Sequence, residues 1–363
     1  MGILRFILAV AVVIDHSGSI FGIHLIGGLI AVKAFYIISG FYMTLVLKEK
    51  YIGIHKSYKL FITNRLLRLY PIYWTVLLLT VLISIVTAIY TKGSYWGPLT
   101  SFVNYCDKMN FGTLAFLIFT NTFLFFQDAL LFLGLNTSTG SLFFTAHFQE
   151  TYPLVHKFLF IPQAWTIGVE LLFYMIAPFI ITKKLKIISV FFLLSILLRL
   201  VLMHYGLKDD PWSYRFFPIE LTFFLGGAIS YHLFIKVRTM EIKTLYLKII
   251  LVLLLVTTLL LEFINFTGKN HLYLVFVFIC IPFIFLLTKK WKMDSFFGDL
   301  SYPIYISHLF VFTCINSFKL PKIGEEGLSL VVLSVLFSII LNELIAKRIE
   351  RIRQNRVKQI IKI

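Results

Sequence analysis

Several side chains able to do chemistry sit in stretches of this chain that otherwise suit lipid. The opening run, Leu4 to Ile14, is apolar apart from Arg5 and is followed at once by Asp15 and His16. Lys33 precedes "AFYIISGFYM" (34–43), which carries Ser39 and Gly40, and "NRLLRLYPIYW" carries Arg65 and Arg68. "WTIGVELLFYMIAP" (165–178) holds Trp165, Glu170 and Tyr174, and "GDLSYPIYISHLF" (298–310) holds Ser301, Tyr305 and His308. Ionisable groups inside a span are costly and usually mark function.

Spacing narrows the chemistry. Arg5 and His16 are eleven residues apart, close to three helical turns, so they share a face about 16 Å apart along the axis. Asp15 neighbours His16 and cannot share its direction, which disfavours a simple Asp–His dyad within one helix. Either Asp15 or a carboxylate from another helix is left to orient the ring. A ligand with an anionic head at one surface and a reactive end deep in the protein fits this layout. Coenzyme A thioesters have that shape, and arginine suits their phosphates. Glu170 and Tyr174 stand i,i+4 on one helix face. Ser301, Tyr305 and His308 follow i, i+4, i+7 and form one polar stripe, with Pro303 expected to loosen the opening turn of its span.

Each feature has a plainer alternative. Ser39-Gly40 is a packing notch between helices or room for a thin acyl arm. Arg65 and Arg68 fit the basic bias of cytoplasmic helix ends, and Trp165 fits an interfacial aromatic belt. The 301–308 stripe reads equally as hydrogen-bonded groups between helices, and for His16 a satisfied buried histidine is the weaker alternative.

The elements that must position these residues are transmembrane helices. The 363 residues are 59% hydrophobic and 14% charged, with a mean hydropathy of +0.89, against about 25% charged for a soluble domain. Three scattered cysteines (Cys106, Cys280, Cys314) make neither a disulfide framework nor metal-ligand spacing. No cleavable signal peptide is expected. Apolar stretches of spanning length fall at 3–20, 25–47, 69–90, 111–133, 160–182, 187–204, 216–235, 248–266, 271–288, 297–318 and 327–346.

Lys/Arg clusters mark the cytoplasmic side. They lie at 48–68, 183–186, 236–248, 289–292 and 347–362. Eleven crossings would place the 183–186 lysines outside. Treating 111–133 as re-entrant or interfacial restores every cluster, and Asn121 and Gln127 suit a segment buried in protein. The expectation is an all-α polytopic membrane protein: about ten transmembrane helices, a re-entrant segment and both termini cytoplasmic. One membrane domain covers 1–346, followed by a basic tail over 347–363 that touches anionic lipid. The net charge of +17 is therefore an orientation signal, and nucleic acid is not expected as a partner.

The motifs resemble the acyltransferase-3 family of bacterial integral-membrane acyltransferases. Arg5 and His16, "FYIISGF" (like FFxxSGF), "NRLLRLYP" (like RRxxRxxP), "WTIGVELLFY" (like WSLxVExxFY), "FFPIELTFFLGG" and "GDLSYPIYISH" (like GxxSYxxYxxH) occur in family order over nearly the whole chain. The resemblance implies transfer of an acyl group, usually acetyl from cytoplasmic acetyl-CoA, to an acceptor outside the bacterial inner membrane. Surface glycans such as lipopolysaccharide O-antigen, or a lipid-linked oligosaccharide, are the implied acceptors. It makes His16 the essential histidine, as base or acyl carrier, with Glu170 and Asp15 as catalytic candidates. Arg5, Arg65, Arg68, Lys33, Ser39 and Gly40 are assigned to the donor path, and Trp165, Tyr174, Tyr305 and His308 to substrate. No metal is implied. Lys33 departs from the family's usual aspartate, Asn64 from the first arginine of its pair and Leu171 from a second acidic residue. The C-terminal SGNH domain of many relatives is not expected. The rival class is a flippase, transporter or polymerase of lipid-linked oligosaccharide. Residues 91–160, with Tyr95, Trp96, His147, Glu150 and His156, are expected to face the acceptor.

Overall fold

A backbone surrounded by lipid must satisfy its own hydrogen bonds, and this chain does so almost entirely with helices. The computed structural model describes residues 1–51 and 58–361, apart from the side chains of residues 50 and 358–361. Lys56 and Lys362, counted above with the basic clusters, lie outside the described residues. The order is α1 (Gly2–Ser17), α2 (Gly28–Val46, continued by a π-helical turn Leu47–Tyr51), α3 (Tyr58–Tyr90), α4 (Thr100–Tyr105) and α5 (Phe111–Phe123). A hairpin of β1 (Leu133–Asn136) and β2 (Ser141–Phe144) follows, paired antiparallel with Leu133 opposite Phe144. Then come α6 (Trp165–Ile180), α7 (Leu185–His204), α8 (Phe217–Val237), α9 (Thr244–Leu260), α10 (Lys269–Thr288), α11 (Lys292–Ser317) and α12 (Glu326–Leu341). A π-helical turn, Asn342–Ala346, leads into α13 (Lys347–Ile361).

Eight helices among the described residues are long and apolar enough to cross a membrane. The two other expected spans are α1 and α11, which pack along each other. Helix α1, at 16 residues, is shorter than those eight, and α11 carries polar residues including Asp294, Asp299, Ser301 and His308. The helix α11 begins at Lys292, so Pro303 lies well inside it and not in an opening turn.

Contacts gather the basic segments at one end. The Met1 amine meets Asp294 at 2.6 Å, Arg238 pairs with Glu49 at 3.2 Å, and Tyr58 donates to the Met175 carbonyl while its ring packs on Phe179. Arg356 of α13 donates to Thr63 (2.9 Å) and Asn64 (3.2 Å) of α3. Both termini of the described chain therefore share this basic end. The far end carries 91–164 and the 205–216 loop, joined where the Trp212 indole donates to the Ala146 carbonyl at 3.0 Å.

The re-entrant expectation over 111–133 has a clear structural basis. Helix α5 is 13 residues long, about 20 Å, and the chain turns back after it through left-handed Leu124 and Phe126. The last carbonyls of a helix lack intrahelical partners. Here Tyr73 donates to the Asn121 carbonyl, Trp74 to Thr122 (2.8 Å) and Tyr70 to Phe123 (2.5 Å). The buried Asn121 amide donates to the Leu117 and Phe158 carbonyls and accepts from the Phe160 N–H. Gln127 donates to the Tyr73 hydroxyl and the Thr120 carbonyl.

Helices α2 and α8 cross at close range. A Cβ added at Gly40 would lie 1.9 Å from the Phe224 carbonyl oxygen, and one at Gly227 would lie 1.9 Å from that of Ile37. Small residues let helix backbones meet in membranes, and stacked Tyr36, Phe224 and Phe173 rings extend the contact. Gly40→Val forces the crossing apart, and we expect a loss of about 2 kcal/mol or more, read as a lower thermal midpoint of the purified protein. An unchanged midpoint would refute this account of the crossing.

Candidate functional site

Ion pairing sorts the charges buried in the bundle. Arg199 binds Glu220 at 2.9 Å and donates to the Ser213 carbonyl at 2.8 Å, and Lys269 binds Glu262 at 2.9 Å. These pairs are structural. Arg5, Arg65, Arg68, Asp15 and Glu170 make no ion pair among the described residues, and all five line internal cavities. Unpaired charge in a low-dielectric interior requires water or a ligand beside it.

Three cavities follow one another through the bundle. At the basic end, about 410 Å³ is enclosed by α3, the start of α11 and α13, with Arg65, Arg68, Asp299 and Arg353 in its wall. A neck of about 90 Å³ follows, lined by Arg5, Ser39, Glu170, Tyr174 and Ser301. Tyr42, Arg68 and Tyr302 belong to both walls. The far cavity, about 530 Å³, is lined by Asp15, His16, His156, Trp165 and Arg215. Val32, Thr166 and Tyr305 divide it from the neck. The passage is wide, narrow, then wide.

His16 is exposed where it borders the far cavity. Its Nδ1 lies 2.8 Å from the Val12 carbonyl. A carbonyl only accepts, so Nδ1 carries a proton, and Nε2 is the ring nitrogen left free. The His308 ring lies 4.9 Å from it, centroid to centroid. His308 repeats the arrangement, with Nδ1 on the Tyr305 carbonyl at 2.7 Å and Nε2 buried without a partner. Asp15 does not hold the His16 ring, whose Nδ1 is already committed to Val12. Its carboxylate lies over the start of α2, where a Cβ at Gly28 would come within 2.7 Å of Oδ2. That position is favourable for an anion at a helix N-terminus.

In the neck, Glu170 Oε1 accepts from the Ser39 hydroxyl at 2.5 Å and from the Tyr174 hydroxyl. Tyr305 joins the divider, donating to the Gln163 carbonyl at 3.1 Å and meeting Thr166 Oγ1 at 2.7 Å. Trp165 faces Arg215, whose guanidinium stands 4.4 Å from the Trp165 ring and 4.7 Å from Tyr214 while pairing with Asp210 at 2.6 Å. Burial, reinforced by Arg215 and Lys157, pushes the His156 pKa down. His156 is therefore neutral in the far cavity at neutral pH.

Three expected placements are corrected. Gly40 cannot line a donor path, because the α8 backbone occupies the space beside it. Lys33 is not in the wall of these cavities; its ammonium lies over the Phe223 ring, 5.4 Å from the centroid, on the side of Glu220 and Arg199. His308 is fully buried behind His16 and does not line the far cavity. Of the residues singled out between 91 and 160, His156 lines the far cavity beside Phe148 and Gln149, whereas Tyr95, Trp96, His147 and Glu150 do not. Sequence reading missed Tyr42 and Tyr302, both inside quoted motifs, because it followed one helix face at a time. It also missed Asp210, Tyr214 and Arg215, which sit in the loop "LKDDPWSYRF" whose mixed charges and aromatics were a usable signal.

Fold and site together define a polytopic membrane protein with three neighbouring cavities that share wall residues. The chain belongs to the acyltransferase-3 family: the family model, described as an acyltransferase domain, matches residues 1–343. It is also similar to an uncharacterized protein of Aquifex aeolicus, 30% identical over 204 residues, which span 54% of this chain and 90% of the relative. No solved structure matches.

The pairing argument makes two glutamates behave differently. Glu220→Gln strands Arg199 and is expected to cost about 3 kcal/mol. Glu170→Gln leaves no cation unpaired and stays within about 0.5 kcal/mol. Thermal melts of both variants in detergent check this, and equal shifts would refute it.

Proposed function

We propose that this acyltransferase takes an acetyl group from acetyl-CoA at a cytoplasmic basic end and delivers it to a hydroxyl of an extracytoplasmic glycan, in the cytoplasmic membrane of a bacterium. The passage itself carries the reading. Unpaired arginines surround its basic mouth, a thin neck follows, and His16 borders the wide chamber beyond. Phosphates fit the first, a pantetheine arm the second and a sugar the third. The positive-inside rule supports a cytoplasmic basic end. An O-antigen unit or lipid-linked oligosaccharide fits the far chamber, where Trp165 and Tyr214 offer apolar ring faces and Asp210, Arg215 and His156 offer polar groups.

His16 acts as general base in this reading. Nε2 takes the proton of the acceptor hydroxyl as its oxygen attacks the thioester carbonyl. The carbon–sulfur bond then breaks, and the imidazolium returns the proton to the departing thiolate. The Val12 carbonyl holds the ring in the required tautomer throughout. The other chemistry open to His16, a covalent acyl-imidazole, uses the same free nitrogen. A neck of about 90 Å³ suits a single thin chain and argues against passage of an oligosaccharide, as a flippase requires.

His16→Ala is expected to lower glycan acylation by about 10²–10⁴-fold while protein level and membrane insertion persist. Mass spectrometry of the surface glycan reads the outcome, and substantial retained acylation would overturn both chemistries. Arg5→Ala is expected to raise the KM for acetyl-CoA about tenfold, measured by steady-state kinetics. An unchanged donor dependence would remove Arg5 from the path.

A further inference from the structure

The C-terminal helix does more than mark orientation. Residues 347–361 follow the stretch matched by the family model and read from sequence as a basic anchor on lipid. In the structure they wall the basic mouth. The π-helical turn at Asn342–Ala346 and α13 place Lys347, Arg351 and Arg353 in the same cavity wall as Arg65 and Arg68 of α3. Two hydrogen bonds from Arg356 to Thr63 and Asn64 hold α13 to α3, and Arg353, one turn earlier, shares that face.

Five cationic side chains then line the mouth against two anionic ones, Asp299 and Glu350. Glu350 pairs with Arg353, and Asp299 forms no ion pair with Arg65 or Arg68 among the described residues. Arg65, Arg68 and Arg353 are close enough to repel one another. Arg65 is 5% exposed, and the Nε atoms of both Arg65 and Arg353 are buried without a hydrogen-bond partner. An excess of cationic side chains over anionic ones in a single cavity wall calls for an oxyanion with several acceptor oxygens.

We propose that α3 and α13 together form a polyphosphate site, in which Arg353, assisted by Arg351, binds the diphosphate-bearing nucleotide end of the donor. The assignment rests on the acyl-donor reading above, and the same phosphate chemistry occurs in lipid headgroups. The test therefore separates three cases on the full-length protein. Wild type and Arg353→Gln are compared for thermal stabilisation by coenzyme A, by inorganic pyrophosphate and by vesicles containing phosphatidylglycerol. Turnover is measured with acetyl-CoA and with S-acetylpantetheine, which lacks the nucleotide.

The proposal expects R353Q to lose stabilisation by coenzyme A and pyrophosphate. It also expects a KM for acetyl-CoA raised about tenfold, with kcat and the KM for S-acetylpantetheine unchanged. Arg353→Lys recovers part of the loss and guards against a folding defect, and Arg351→Gln moves in the same direction by less. Unaltered coenzyme A binding in R353Q, equal effects on both donors, or an R353Q-sensitive response to vesicles alone would each overturn it. If pyrophosphate binding depends on Arg353 while acetyl-CoA is no donor, the anion site stands and the donor reading fails.

Discussion

An unpaired charge in the low-dielectric interior of a membrane bundle is the constraint on which this structure turns. Arg199 and Glu220 meet it by binding each other, as do Lys269 and Glu262. Arg5, Arg65, Arg68 and Glu170 meet it by facing open space, and Asp15 is exposed at the rim of the far cavity. The passage is thus the complement of the ion pairs. At these positions the protein keeps room for water or ligand, whereas Lys33 lies over the Phe223 ring instead.

The same economy governs the backbone. Helix α5 ends inside the protein, and the exposed carbonyls at its C-terminus would be costly there. Tyr70, Tyr73 and Trp74 supply the missing donors from α3. This lets 111–133 turn back without crossing, which keeps α6 running toward the basic end and places Trp165 at the far cavity and Glu170 at the neck. A bent segment and its three aromatic donors therefore fix the position of two site residues belonging to another helix.

Much of this was legible in the sequence where one helix sufficed to decide it. The eleven-residue spacing put Arg5 and His16 on one face, and both border the passage. Charge parity, with Asn121 and Gln127, set 111–133 apart from the other apolar stretches, and the structure folds it as a 13-residue helix that turns back at Leu124. What stayed hidden depended on which helices cross. Gly40 is a notch and not a lining residue because α8 lies against it, and Lys33 turns toward Phe223 because α2 meets α8 on that side. The Asp210–Arg215 cluster and the inward face of α13 arise from long-range contacts that no local periodicity encodes.

The unequal widths of the passage also have an electrical consequence. In an energised membrane most of the potential falls across the most resistive part of an aqueous path, here the neck of about 90 Å³. Moving one elementary charge through a full 100 mV involves about 2.3 kcal/mol. Arg5 and Glu170 stand within that drop, whereas Arg65 and Arg353 lie on its basic-end side and His16 beyond the neck, in the far cavity. A neutral group moving along the proposed donor route does no work against the field, whereas an ion would. With Glu170 bonded to Ser39 and Tyr174 in the wall of this cavity, the smallest of the three spaces is also the one where hydroxyl donors hold a carboxylate.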